Sequence, residues 1–112
     1  MTRSTYLGEF EQLVLLALAR LDVEAYGVAI RGEIERRTGQ EVATGSVYAV
    51  LDRMEKKGYV ASRLGEPTRE RGGRAKRYFR LLQPGAAALT RARGALDQLW
   101  DGLEIEPETY QP

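Results

Sequence analysis

Apolar residues recur at intervals of three and four along the start of the chain, the spacing of one helix face. The first predicted helix runs from about Gly8 to Leu21, and Leu15 and Leu16 lie off its apolar stripe, on opposite sides. A helix with so wide an apolar surface needs cover on more than one side, from either a local helix or a second copy of the chain. The stripe itself consists of Phe10, Leu13, Val14, Ala17, Leu18 and Leu21.

The second predicted helix is mostly polar. It begins near Gly27 and ends at about Thr38, where Gly39 is a suitable left-handed terminator. Ile30 and Ile34 dominate its narrow apolar face, together with Tyr26 and Ala29. The remaining charged side chains, Arg31, Glu33, Glu35, Arg36 and Arg37, are expected to face solvent.

The third predicted helix has two contrasting faces. It begins at Thr44 as the N-cap residue and ends before Gly58. One face carries the apolar stripe Val47, Val50, Leu51 and Met54. The opposite face is short-chained at its beginning and basic further on, a surface suited to close approach to a groove; it contains Gly45, Ser46, Ala49, Arg53 and Lys56.

Beyond Gly58 the apolar period changes to two, which predicts a hairpin with strands at about 59–64 and 75–82. Phe79 and Leu81 are expected to point inward, whereas Arg77 and Arg80 at the strand base are expected to pair with acids. Residues 65–74 are predicted to form the basic, glycine-containing tip.

A final helix is predicted from Pro84, a residue suited to the first helical turn, to about Leu103. Its apolar residues recur as in a heptad seam, and Trp100 lies beside that seam. The seam consists of Leu89, Ala92, Leu96, Leu99 and Leu103. Residues 1–103 are expected to form one domain, with 104–112 as a loose acidic tail.

The order of these elements predicts a mainly α fold with a small β-hairpin: a winged helix-turn-helix followed by a C-terminal helix. In that arrangement the third helix enters the major groove of DNA, and the hairpin tip contacts adjacent backbone or the minor groove. Ser46 and Ala49 are then placed to touch base edges, and the Tyr48 hydroxyl either reaches a phosphate or its ring packs against the hairpin.

The charge distribution agrees with a polyanionic partner. Residues 43–80 contain ten basic and four acidic residues, a formal charge of +6, whereas 1–42 and 81–112 carry −2 and −3 in a chain of net charge +1. Such a patch supplies phosphate contacts. The predicted DNA-binding residues are Thr44, Ser46, Tyr48, Ala49, Arg53, Lys56, Arg69, Arg71, Arg74 and Lys76. The alternative is a winged-helix interaction module that docks an acidic protein, although small Ser46 and Ala49 favour a groove.

Composition excludes several other functions. Cysteine and histidine are both absent, which removes disulfides, thiolate metal sites and serine–histidine catalysis. The longest apolar run, Leu13–Ala19, is far shorter than the roughly 20 residues that span a bilayer. We therefore expect a cytoplasmic protein that is not an enzyme, needs no cofactor or metal, and has no membrane partner.

Four stretches resemble the PadR family of bacterial transcriptional regulators, in the same order and with matching spacing. They are LGEFEQLVLLAL at 7–18, AYGVAI at 25–30, TGSVYAVLDRMEKKGYV at 44–60 and GGRAKRYFRLLQPGAAAL at 72–89. The resemblance implies a winged-helix homodimer that binds a palindromic operator, usually as a repressor. The chain departs from the family pattern at Leu82, where a capping Thr is common, and in its short C-terminal part with a single helix.

The resemblance also implies how two copies would associate. Family members pack the C-terminal helix on the partner's N-terminal helix, which assigns to the interface Phe10, Leu15, Leu16, Leu89, Leu96, Leu99, Trp100 and Leu103. Some members bind a small hydrophobic or aromatic effector near that interface. Trp100 is the candidate pocket residue; the alternative is that it fills the core or rim of the dimer.

Overall fold

Four α-helices and one hairpin make up the part of the molecule described here, a computed structural model covering residues 6–66 and 75–112. In chain order the elements are α1 (Glu9–Leu21), α2 (Gly27–Thr38), α3 (Thr44–Lys56), β1 (Val60–Leu64), β2 (Arg77–Leu81) and α4 (Gln83–Trp100). Single 3₁₀ turns occupy Asp22–Glu24 and Pro107–Thr109. The fold is the predicted winged helix-turn-helix, mainly helical with a two-stranded antiparallel sheet.

Helix α1 lies at the centre of the core, packed on α2, α3, β2 and α4. Val14, Leu15 and Leu18 are almost completely buried within the chain. The sequence-based assignment of Leu15 to a dimer interface is therefore wrong, because this residue has no surface left for a partner. Its neighbour Leu16 is 49% exposed, so only one side of α1 remains uncovered.

The helix boundaries differ from the expected ones in two places. The N-cap of α3 is Ala43, with extended backbone and no side-chain cap bond, so Thr44 is the first helical residue and not the cap. Helix α4 ends at Trp100, three residues before Leu103, because Asp101 adopts extended backbone angles. Its beginning is as expected despite Leu82, which serves as N-cap without a side-chain bond. Within the described ranges, no helix is long and apolar enough to cross a membrane.

The hairpin is joined to the helical core through its second strand. The strands pair from Val60 opposite Leu81 to Leu64 opposite Arg77. The backbone N–H of Phe79 donates a 2.7 Å hydrogen bond to the carbonyl of Ala25, and Tyr26 forms an isolated bridge with Tyr78. The segment before α2 thus lies along the free edge of β2 and fixes the hairpin against the helices.

Glu33 does not face solvent as predicted; its side chain is only 6% exposed. Arg37 Nε lies 2.6 Å from Glu33 Oε2, and Arg36 pairs with the other carboxylate oxygen. The hydrogen bonds from Arg37 and Arg36 lower the pKa of Glu33 below its ordinary value. The carboxylate therefore lies beneath the two arginines of the next helical turn. The prediction that Glu33 faces solvent was wrong because it considered only the polarity of the side chain and not these partners.

Candidate nucleic-acid interface

Helix α3 presents one buried and one exposed face, as its sequence predicts. Val47, Leu51 and Met54 are completely buried, and Val50 is 1% exposed. This stripe anchors the helix against α1, α2 and β1. The opposite face is exposed and consists of Gly45, Ser46, Ala49, Arg53 and Lys56.

The beginning of this exposed face has short side chains. Gly45, Ser46 and Ala49 all lie on the outside of the first two turns. A major groove about 12 Å wide admits an α-helix, and small residues allow its backbone to approach base edges closely. The exposed face of α3 has the shape that such an approach requires.

The end of the same face carries the basic groups. Arg53 is 54% exposed, and its Nη2 atom lies 3.5 Å from Glu11 Oε2 on α1. An exposed ion pair of this kind contributes roughly 0.2–1 kcal/mol, so the guanidinium can exchange Glu11 for a phosphate at small cost. Lys56 is exposed without an ion pair among the described residues, and Thr44 is half-buried at the first turn.

Tyr48 packs within the protein. Its ring centroid lies 6.5 Å from that of Phe79, and the ring covers Gly27 at the start of α2. A Cβ atom at Gly27 would lie 2.2 Å from Tyr48 Cζ. Of the two roles considered for Tyr48, the geometry favours packing between α2, α3 and the hairpin.

Two cations at the end of the strands nearest the hairpin tip are held over tyrosine rings. Lys76 Nζ lies 4.3 Å from the ring centroid of Tyr26, and Arg63 Cζ lies 4.8 Å from that of Tyr78. The two tyrosines meet edge to face at 5.7 Å. Lys76 belongs to the predicted set, whereas Arg63 does not; its outward position opposite Tyr78 in the strand alternation is the signal that identifies it. The predicted contacts Arg69, Arg71 and Arg74 lie outside the described residues.

Arg80 forms no ion pair among the described residues, contrary to the prediction, whereas Arg77 pairs with acids as predicted. Its Nη1 atom lies 3.2 Å from Asp52 Oδ1, and Nη2 pairs with Glu55. Ser62 Oγ on β1 donates a 2.7 Å hydrogen bond to Glu55 Oε2. These contacts connect α3 to both strands of the hairpin.

A second exposed surface lies along α4 and is apolar. Leu96, Leu99 and Trp100 are 52%, 77% and 52% exposed. A groove of about 650 Å³ between α1 and α4 is lined by Leu16, Leu89, Leu96 and Trp100, among others. Apolar surface of this kind, rimmed by charged residues, is typical of an interaction site. Of the other predicted interface residues, Leu103 is 48% exposed and Phe10 is half-buried.

The helices and the hairpin together form a winged helix-turn-helix, a fold in which the third helix of DNA-binding proteins enters the major groove. The family model described as "Transcriptional regulator PadR-like family" matches residues 14–91. This chain belongs to that family and is a transcriptional regulator, which places it outside the enzyme families. A transcriptional regulator of Mycobacterium tuberculosis, Rv3488, is 37% identical over 78 residues, covering 70% of this chain and 68% of the relative.

Solved structures of PadR proteins share the fold. A PadR-like transcription factor from Bacteroides fragilis superposes with a TM-score of 0.70 at 20% identity, covering 83% of this chain and 84% of that one. A PadR family regulator from Clostridium difficile gives 0.66 at 21% identity, with coverage of 85% and 97%. One from Eggerthella lenta gives 0.64 at 26% identity, with coverage of 84% and 81%.

Proposed function

We propose that this protein is a sequence-specific DNA-binding repressor that recognises an inverted repeat as a homodimer. The exposed face of α3 is the observation that carries the proposal. Short side chains at Ser46 and Ala49 are followed by basic ones at Arg53 and Lys56, all outside a helix whose other face is buried. This arrangement suits a helix that inserts its first turns into a major groove while its later turns contact phosphates.

The hairpin supplies the second group of contacts. Lys76 and Arg63 are exposed, and each is held over a tyrosine ring. Such cation–π contacts limit the freedom of a long side chain before it meets a phosphate, which lowers the entropic cost of binding. Affinity should therefore fall steeply as salt rises, because each neutralised phosphate releases counterions.

The apolar surface of α4 supports the homodimer. Leu96, Leu99 and Trp100 are exposed on α4, and Leu16 is exposed on the neighbouring side of α1. In the proposed dimer, α4 of one subunit covers this side of α1 in its partner, with Phe10 and Leu89 at the edge. Two-fold symmetry then sets the recognition helices about 34–36 Å apart, or at a multiple of that distance, on successive turns of one DNA face.

The groove between α1 and α4 has two candidate occupants, the partner's apolar side chains and a small hydrophobic or aromatic effector. Trp100 lines the groove and is the single tryptophan of the chain, so its fluorescence reports on both. Dilution of the protein changes the emission if the partner fills the groove. An effector changes the emission at a fixed, high protein concentration, and in doing so would bias the dimer toward one geometry.

Selection of binding sites from a random DNA library tests the proposal. The intact protein is incubated with random-sequence duplexes, bound DNA is amplified, and the final pool is sequenced. We expect an inverted repeat that also occurs upstream of the protein's own gene. A pool without any enriched sequence contradicts specific DNA binding, and capture of a nuclease-resistant acidic protein partner would favour the interaction module.

A further inference from the structure

Arg77 is the one described side chain of the hairpin that reaches α3 through ion pairs. It lies 3.2 Å from Asp52 through Nη1, pairs with Glu55 through Nη2, and stacks 4.8 Å above the ring of buried Phe79. Because Phe79 is fixed in the core, the guanidinium approaches α3 from a rigid base. The arginine is 37% exposed, so it is partly shielded from solvent.

Glu55 also connects α3 to strand β1. Its Oε2 atom accepts a 2.7 Å hydrogen bond from Ser62 on β1, while Oε1 accepts from Arg77 on β2. A single carboxylate of α3 is therefore bonded to both strands. Because each carboxylate oxygen accepts from a different strand, the two bonds fix the direction of the side chain as well as its distance from the hairpin. They set the angle between the helix that enters the groove and the hairpin that contacts the backbone.

The Glu55 carboxylate is a negative charge on the helix proposed to enter the groove. Helix α3 contains Asp52 and Glu55 together with Arg53 and Lys56, so its side chains sum to zero charge. A negative group close to phosphates weakens binding through like-charge repulsion. Glu55 increases DNA affinity overall only if its contribution through positioning the hairpin exceeds that repulsion.

We propose that Arg77, acting through Glu55, is a positioning residue for DNA binding: the pair holds the hairpin at the angle from which it and α3 contact one duplex together. This inference rests on the proposed function. It assigns neither residue to contact with DNA. Loss of either member lets the hairpin rotate relative to α3, so that binding at one element no longer favours binding at the other.

The direction in which one substitution changes DNA affinity distinguishes a positioning role from simple charge repulsion. Glu55→Gln preserves shape and removes one negative charge from α3, on the flank that packs against the hairpin. Repulsion alone predicts tighter DNA binding, whereas positioning predicts weaker binding. We expect Glu55→Gln and Arg77→Gln each to weaken binding about three- to tenfold, and the double variant to be no weaker than Arg77→Gln, as for two residues that act as one unit.

The control is Glu24→Gln, which makes the same charge change in the 3₁₀ turn after α1. Glu24 is exposed and forms no ion pair within the described residues. This variant should bind DNA at least as tightly as the wild type. Circular dichroism and thermal melting establish whether each variant is folded. If Arg77→Gln is unstable, Glu55→Gln still tests the proposal, because it retains the shape of the side chain.

The experiment is fluorescence-anisotropy titration of a duplex selected from the random library, combined with hydroxyl-radical footprinting. We expect the weakened variants to keep protection at the centre of each half-site and to lose it at the flank contacted by the hairpin. Tighter binding by Glu55→Gln, or an unchanged footprint, overturns the proposal. If the wild type itself binds no duplex, the proposed function fails; if it binds and the variants match it, only the positioning role fails.

Discussion

The ring of Tyr48 lies directly over the backbone of Gly27, so close that a Cβ at Gly27 would be 2.2 Å from Cζ and 2.5 Å from the hydroxyl oxygen. Gly27 is the first residue of α2, and Tyr48 is in the second turn of α3. The contact therefore fixes the crossing of the two helices in the helix-turn-helix. It requires glycine because of space, since Gly27 does not have a positive φ.

Gly27→Ala should destabilise the protein. The added methyl group forces the Tyr48 ring to move from its packed position, and overpacking of this kind costs about 1–3 kcal/mol. Gly32→Ala on the same helix is the matched control, because its Cβ would meet no atom within 4 Å. The control should gain roughly 0.5–1 kcal/mol through helix propensity. Urea unfolding measures both values; equal effects at the two positions would contradict the account.

The hydrogen bonds of Glu33 with Arg37 and Arg36 predict a pH dependence of stability. Hydrogen bonds from Arg37 and Arg36 lower its pKa in the folded protein below the ordinary value of 4.5. As pH falls, Glu33 is therefore protonated in the unfolded state before it is protonated in the folded state. The contribution of its ionised carboxylate to the free energy of unfolding is complete above pH 4.5 and is lost as pH falls through the lowered pKa.

Thermal melting of the wild type and Glu33→Gln should therefore show a clear difference in Tm at pH 7. This difference should shrink as pH falls below 4.5. Glu24→Gln, at an exposed position without an ion pair in the described part of the chain, should melt like the wild type at both pH values. A constant difference between wild type and Glu33→Gln across this range would be inconsistent with the paired carboxylate.

Helices α1 and α3 could be predicted from the sequence because their period of 3.6 is carried by residues that are largely buried in the structure, whereas the seam that predicts α4 includes Leu96 and Leu99, which are exposed. Val47, Val50, Leu51 and Met54 define α3 in this way. The exposed face of α3 follows from the same periodicity. Positions that depend on partners distant in sequence could not be predicted, because periodicity identifies a face and not its neighbour.

Leu15 and Glu33 illustrate that limit. Leu15 lies off the main stripe of α1, and only the packing of other elements of its own chain shows that this side is covered. Glu33 is polar, and its burial depends on two arginines that turn back over it. Likewise, the need for glycine at position 27 arises from Tyr48, twenty-one residues further along the chain.

The proposed dimer predicts that Leu99→Glu shifts the protein toward monomer. Leu99 is 77% exposed, and full burial of a leucine contributes about 1.5–3 kcal/mol. Because both subunits of the dimer carry the substitution, the dissociation constant should rise roughly a hundredfold or more. Leu64→Glu is the control, because Leu64 is 71% exposed but lies on the hairpin. Analytical ultracentrifugation over a concentration series distinguishes the two variants. A wild type that is monomeric at every concentration would refute the proposed interface.

The two ends of the exposed α3 face should respond differently to substitution. Ala49→Leu adds bulk where the helix meets base edges, so it should weaken binding to a selected duplex about tenfold or more and change binding to scrambled DNA little. Lys56→Gln should weaken both to a similar degree and lower the salt slope by about 0.9. Anisotropy titrations measure all four affinities. If Ala49→Leu lowers the affinity for both duplexes equally, this position does not contact bases.

The most direct test of the proposed function is the affinity of the wild-type protein for a selected inverted repeat and for its scrambled counterpart, measured between about 50 and 200 mM salt. We predict that the dissociation constant for the inverted repeat is at least about a thousandfold lower. We also predict that both affinities fall linearly with the logarithm of salt concentration, as expected from phosphate contacts by α3 and the hairpin. Equal affinity for the two duplexes, or binding that does not change with salt, would contradict the proposed recognition of DNA.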